Sequence, residues 1–251
     1  MSESAQRLLD PSELGTKEYW DTAYARELSN HQDDTGDEGT IWFSESNAED
    51  AVLGELSKLG EDALLHRAGG DETALPSRFL DLGTGNGHLL FTLQEEDDEG
   101  NCWSGEMVGV DYSETSIQLA RRIAIERGSE TVRFEQWDLL NDPPRQDWLQ
   151  DGFEVVLDKG TFDAISLMGT EDARHPCEVY REKVEPLIKP GCFLSITSCN
   201  WTKAELLTWL APASGQLQYY SEAKYPTFTF GGQTGQSIVT LTLRRVVQTS
   251  D

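Results

Sequence analysis

Basic residues are scarce in this chain: 20 lysines and arginines stand against 45 aspartates and glutamates, a formal net charge of −25. Such a surface repels phosphate backbones, which argues against DNA or RNA as the main partner. No apolar run approaches the ~18 residues that a membrane-spanning helix needs, and the first ten residues lack a basic start followed by an apolar stretch. Neither a membrane nor an export route is expected. The four cysteines, Cys102, Cys177, Cys192 and Cys199, include no C-x-x-C pair, as suits reduced thiols in a cytoplasmic protein rather than a disulfide framework. His31, His66, His88 and His175 are scattered, with no partner at ligand spacing, so no metal is expected.

What the chain does have is core-forming material. Its 251 residues fit one α/β domain, and 37% apolar content with seven tryptophans excludes global disorder. The acidic clusters at 33–38 and 95–99 serve solubility, and they also suit the steering of a basic protein partner, an effect that fades with salt. The surrounding segments 33–39 and 94–105 read as loops inserted into the domain. Residues 1–44 are expected to form an N-terminal extension whose helix, over 17–28 with Trp20 and Tyr24 on one face, contributes to the cleft; 45–251 form the main domain.

From residue 45 the pattern is helical, with Ser46 and Glu49 spaced as a capping box and Val52, Leu56, Leu59 and Ala63 on one face. Short apolar runs then follow at 79–82, 107–110, 132–134, 153–157 and 193–197, with helix-length segments between most of them. That alternation predicts a parallel sheet covered by helices on both faces. After the fifth run, 201–210 reads as a short helix, and 237–245 alternates apolar and polar residues as an antiparallel strand does. The fold class is therefore α/β, a Rossmann-like seven-stranded sheet, mostly parallel, with an antiparallel C-terminal strand. A dehydrogenase would continue with parallel units.

Ligands of open α/β sheets bind beyond the carboxyl ends of the strands. The first such junction reads Asp81-Leu82-Gly83-Thr84-Gly85-Asn86-Gly87. Its glycines permit a sharp turn and bring a ligand against bare main chain. A dinucleotide site takes G-x-G-x-x-G. The spacing here is G-x-G-x-G with an acid two residues ahead, which repels phosphates and suits the sulfonium and amino-acid parts of S-adenosyl-L-methionine; a purely structural turn is the plainer alternative. Asp111, with Tyr112 and Ser113 after the second strand, is placed to accept both ribose hydroxyls, while Ser113 caps the next helix. After the third strand, Asp138 suits the adenine amino group, with Trp137 and Leu139 as apolar neighbours; Trp137 fits a core position equally well. Asp158 and Lys159 follow the fourth strand, either as site residues or as an ordinary ion pair. Four acid-bearing turns at successive strand ends are far harder to obtain by chance than one.

Several strings resemble one family. Leu14-Gly15-Thr16-Lys17-Glu18-Tyr19-Trp20-Asp21, the 80–87 loop, Asp158-Lys159-Gly160-Thr161-Phe162-Asp163-Ala164 and Ile196-Thr197-Ser198-Cys199-Asn200-Trp201-Thr202 are similar to the eukaryotic protein-lysine methyltransferases of the Efm4 type, over about 12–245. The resemblance implies a lysine of translation elongation factor 1A, a basic protein, as acceptor; a monomer is expected. It implies that Asp81, Gly83, Gly85, Asp111, Tyr112, Trp137, Asp138 and Asp158 line the cofactor pocket, with Trp20 near the methionine end. The acidity or length of 33–39 and 95–105 departs from the family pattern.

Methyl transfer requires a neutral amine, so the site must desolvate the substrate ammonium or pass its proton on. Asp158 is the expected orienting group, with Asn200 and Trp201 secondary, and Trp20, Tyr19 and Trp201 are expected to hold the cation by cation–π contact. The segment 225–232 suits either the cleft border or a hairpin. Rival readings are a methyltransferase of the same fold acting on a protein N-terminus or a small molecule, a non-catalytic binding module, and a nicotinamide-dependent oxidoreductase.

Overall fold

The computed structural model describes residues 8–67, 75–95, 102–129, 131–169, 174–226, 228–230, 233–235 and 237–247. Among these, two helices precede the sheet: α1 (Lys17–Asp33) and α2 (Ala48–Glu61). There follow β1 (Phe79–Leu82), α3 (His88–Gln94), β2 (Met107–Asp111), α4 (Glu114–Arg127) and β3 (Val132–Gln136). Next come α5 (Gln146–Leu149), β4 (Phe153–Lys159), α6 (Thr161–Ser166), α7 (Pro176–Val184) and β5 (Ile188–Ser198). The chain closes with α8 (Lys203–Leu210), β6 (Leu217–Glu222), β7 (Phe228–Phe230), β8 (Gln233–Gly235) and β9 (Val239–Arg245). No helix among the described residues is long and apolar enough to cross a membrane.

Seven strands form one sheet in the order β3-β2-β1-β4-β5-β9-β6, and β7 pairs with β8 as a separate hairpin. The pairings β1–β2, β1–β4, β2–β3 and β4–β5 are parallel, whereas β9 runs antiparallel to both β5 and β6. The uninterrupted apolar residues of β1, β2 and β4 are explained by burial on both faces: α1 to α4 cover one and α5 to α8 the other. Because Leu82 pairs with both Val110 and Asp158, and Asp158 with Ile196, the carboxyl ends of β2, β1, β4 and β5 come level along one edge.

The antiparallel strand expected over 237–245 is present as β9 and lies inside the sheet; Thr240 is fully buried, and its hydroxyl meets that of Thr197 at 2.7 Å and that of Tyr225 at 2.6 Å. Three expectations need correction in detail. The Ser46–Glu49 capping box does not form. Asn47, in the left-handed region at φ 51°, precedes α2 without a side-chain cap, and Glu49 turns to His88 instead. A true capping box, Thr202 with Glu205, starts α8 two residues later than the sequence suggests. Finally, 33–39 is no detached loop. Its first residue completes α1, and its backbone is tied down where Asp37 O meets His31 Nδ1 at 2.8 Å and Glu38 O accepts from Asn86 Nδ2 at 2.9 Å. Of 94–105, residues 96–101 lie outside the described residues; Trp103 is buried against Phe79.

Candidate active site

A cavity of about 380 Å³ opens along the sheet's carboxyl edge, within the range of about 300–1,000 Å³ usual for small-molecule sites. Its walls come from five junctions: Trp137, Asp138 and Leu139 after β3, Asp111 and Tyr112 at the end of β2, Gly83 after β1, Lys159 to Thr161 after β4, and Cys199 and Asn200 after β5. The strand order fixes this sequence of groups along the cavity.

At the β2 end, Asp111 is buried, and its two oxygens accept one backbone N–H each, from Ser113 at 2.9 Å and Gly85 at 3.2 Å. Each oxygen keeps further accepting capacity, which fits two neighbouring hydroxyls. Burial raises the carboxyl's pKa, against the pull of those N–H groups. Tyr112 carries the Lys17 ammonium 5.2 Å from its ring centroid. Asp138 lines the cavity while also bracing its own turn, accepting from the N–H groups of Leu140 and Asn141 and from the Asn141 amide. Trp137 borders the cavity and is also packed into the core, edge-on to Trp148, with its indole N–H donated to Pro143 O at 3.1 Å.

The glycine turn is as tight as its sequence demands. Gly83 has φ +61°, and an added Cβ would lie 2.2 Å from the Thr161 hydroxyl; at Gly85, φ is +59° and the Cβ would meet the Tyr24 hydroxyl at 2.6 Å. Only glycine allows β1 to turn here under α1 and beside α6. Thr84, Gly85, Asn86 and Gly87 shape this turn without being part of the cavity wall, and Ser113, at the start of α4, lies outside the wall too. Thr84 N–H donates to Val110 O, the Asn86 side chain clasps the 38–40 backbone, and Gly87 N–H donates to Thr84 O. Asp81 also lies behind the wall; burial pushes its carboxyl up to about 7, with the positive charge of Lys159 opposing.

The β4 end differs from expectation. Asp158 does not line the cavity. It is 2% exposed, and its carboxylate accepts from the N–H groups of Thr161 and Phe162 and from the Tyr180 hydroxyl. The carboxylate thus anchors the start of α6, and the alternative of an Asp158–Lys159 ion pair is not formed either, Lys159 meeting Trp42 O and Glu49 instead. Burial pushes Asp158 up to about 7, against the Tyr180 hydrogen bond. The carboxylate that does border the cavity is Asp163, one helical turn further on. It accepts from the Ser198 hydroxyl and from Cys199 N–H at 2.8 Å, and burial raises its pKa.

Of the two residues expected after β5, Asn200 borders the cavity; Trp201 does not, packing instead between Phe162 and Trp209. Tyr19 is likewise outside the wall. Trp20 is in it, stacked on Tyr24, edge-on to Trp42 at 5.2 Å, and fixed by its indole N–H to Leu14 O at 2.7 Å.

Trp42 and Phe43 are wall residues that the sequence did not disclose. They sit in an irregular strap between α1 and α2, where no periodicity points to a face. The strap is held by its main chain: Thr40 N–H donates to Glu27 Oε1 at 3.2 Å, and Trp42 O accepts from Lys159 Nζ at 3.1 Å. The hairpin of β7 and β8 agrees with one of the two readings of 225–232; the side chains of 227–236 lie outside the described residues.

Comparisons with known proteins agree with this geometry. A family described as a methyltransferase domain matches residues 76–243. The protein-lysine N-methyltransferase efm4 of Schizosaccharomyces pombe is 43% identical over 91% of this chain and 92% of its own. EEF1A lysine methyltransferase 2 of Danio rerio is 36% identical over 94% of this chain and 89% of its own. Among solved structures, the N-methyltransferase NodS from Bradyrhizobium japonicum, in complex with S-adenosyl-L-homocysteine, superposes with a TM-score of 0.55 at 14% identity, covering 90% of this chain and 98% of that one; this likeness concerns the fold.

Proposed function

This chain belongs to the family of S-adenosylmethionine-dependent protein-lysine N-methyltransferases that includes efm4 and EEF1A lysine methyltransferase 2, and from that premise we propose that it methylates a lysine of translation elongation factor 1A in the cytoplasm, acting as a monomer. The observation that carries the reading is the order of groups along one cavity: Trp137, Asp138 and Leu139 at one end, a hydroxyl acceptor at Asp111, a bare glycine turn, and an aromatic and acidic end at Trp20, Trp42, Phe43 and Asp163. The chemistry of these groups suits the cofactor: the Asp111 oxygens, each with a spare lone pair, would accept from its hydroxyls, and no phosphate-binding helix N-terminus is required.

When bound, S-adenosylmethionine supplies an electrophilic methyl group on a sulfonium. The chain supplies alignment and a dry passage for the incoming amine. Trp20, Trp42 and Phe43 form an apolar wall that strips water from a lysine ammonium, lowers its pKa and favours the neutral amine. Asp163, held by Ser198 and the Cys199 N–H, takes the orienting role expected of Asp158, and Asn200 offers a second polar contact beside it. The N-terminal extension contributes to the cleft through Trp20 on α1 and the strap. The acidic surface suits a basic protein substrate and disfavours nucleic acid or a membrane as partner.

Incubating the purified chain with labelled S-adenosylmethionine and purified elongation factor 1A, followed by peptide mass spectrometry, is expected to place methyl groups on one lysine. An unlabelled factor, under conditions where the cofactor binds, would remove the substrate assignment.

A further inference from the structure

Two ammonium groups border the cavity among the described residues, those of Lys17 and Lys159, and they are differently matched. Lys17 is neutralised by both oxygens of Asp21, at 2.9 and 2.7 Å, and lies over Tyr112 at the β2 end. Lys159 donates to one neutral acceptor, Trp42 O at 3.1 Å. Its nearest carboxylate oxygen, Glu49 Oε1, is 3.5 Å away, and Glu49 makes its shorter contact, 2.7 Å, with His88 Nδ1. An ammonium has three donors, so Lys159, only 14% exposed, retains donor capacity at the cavity wall and an incompletely matched positive charge.

Position supplies the ligand. The sheet edge runs β3, β2, β1, β4. With adenine beyond β3 and ribose at Asp111 on β2, the remaining arm of the cofactor crosses the Gly83 turn after β1, and its far end arrives at β4. That far end bears an α-carboxylate, the one anionic group of S-adenosylmethionine. On the cavity side of β4, the cation that it meets is Lys159.

We propose that Lys159 is the specificity-determining contact for the α-carboxylate of the cofactor, and that it selects amino-acid-bearing sulfonium ligands over those lacking the carboxylate. The inference rests on the methyltransferase reading above. It also gives Glu49 and His88 a role: Glu49 divides its carboxylate between His88 at 2.7 Å and Lys159 at 3.5 Å, which steadies the ammonium without occupying all of its donors. Here Lys159 is a binding residue and takes no part in proton transfer.

The test is calorimetric and independent of turnover. Wild type, Lys159→Met and Lys159→Gln are titrated with S-adenosylhomocysteine and with decarboxylated S-adenosylhomocysteine, which keeps the amine and lacks the carboxylate. Loss of a charged hydrogen bond is expected to weaken S-adenosylhomocysteine binding by roughly tenfold to a hundredfold in both variants, with the decarboxylated ligand bound equally by all three proteins. Equal losses for the two ligands, no loss for either, or a wild type that does not discriminate between them would overturn the proposal. Lys159→Gln can still donate to the Trp42 carbonyl, so it answers the question if the Met variant fails to fold. A wild type that binds neither ligand would count against the methyltransferase reading itself, a result distinct from the others.

Discussion

The Tyr180 hydroxyl donates to Asp158 Oδ2 at 2.5 Å, deep beneath α6 and away from the cavity wall. This contact, together with the Thr161 and Phe162 N–H groups, turns the first acid of the Asp158-Lys159-Gly160-Thr161-Phe162-Asp163 string into an anchor for the second. Replacing Tyr180 by Phe removes one donor from a buried carboxylate and should lower stability by roughly 1–3 kcal/mol, read from urea unfolding. Asp158→Ala strands the hydroxyl and two N–H groups and should cost more, with activity falling in step with the folded fraction. An Asp158→Ala protein of wild-type stability but without turnover would instead make Asp158 a participant in the reaction.

Asp163→Asn keeps the side-chain shape and removes the charge next to the proposed acceptor position. We expect kcat to fall about a hundredfold, the scale of a lost acid–base or orienting group, while S-adenosylhomocysteine affinity changes by less than a factor of about three. Equal losses in both quantities would make Asp163 a structural residue.

Gly83→Ala forces φ +61° on a residue with a Cβ and drives that atom to 2.2 Å from the Thr161 hydroxyl, which is itself committed to Leu82 O at 2.6 Å. Left-handed backbone alone costs about 1–2 kcal/mol for a residue other than glycine. S-adenosylhomocysteine affinity is therefore expected to drop at least about tenfold by calorimetry. A variant that binds as wild type does would show that the turn has room to spare.

Asp81 and Asp158 both hold their protons up to about 7 in the folded chain because of burial, whereas in the unfolded chain such carboxyls ionise near 4. The folded form then binds more protons between these values. The stabilising contribution is fully present below pH ~4 and is lost as pH rises through about 7. Chemical denaturation midpoints should decline across that window, and Asp81→Asn or Asp158→Asn should flatten the decline. An unchanged slope in both variants would mean that neither proton is held by burial.

How much of this was legible in the residues depended on regularity. β1, β2 and β4 declared themselves as continuous apolar runs because helices bury both of their faces, and Asp111 and Asp138 followed because a strand end fixes where the next side chain lies. The string 158–163 was harder. It holds two acids five residues apart, and which of them faces the cavity is decided by where α6 begins, a matter of one or two residues. The same margin separates Asn200, in the wall, from Trp201, in the core. Trp42 and Phe43 gave no signal because an irregular strap has no period, and its path is set by partners distant in sequence.

Those partners grip that strap through peptide atoms: His31 at the Asp37 carbonyl, Asn86 at the Glu38 carbonyl, Glu27 at the Thr40 amide, Lys159 at the Trp42 carbonyl. Side chains of the segment itself add to this hold at Asp34, Asp37 and Glu38, whose carboxylates accept from Gly36 N–H, Gly39 N–H and the Arg127 guanidinium. Exchange of the exposed Asp33 or Thr35, by drift or by an engineer seeking a new protein target, would leave these contacts in place, and with them the two aromatic rings that border the cavity.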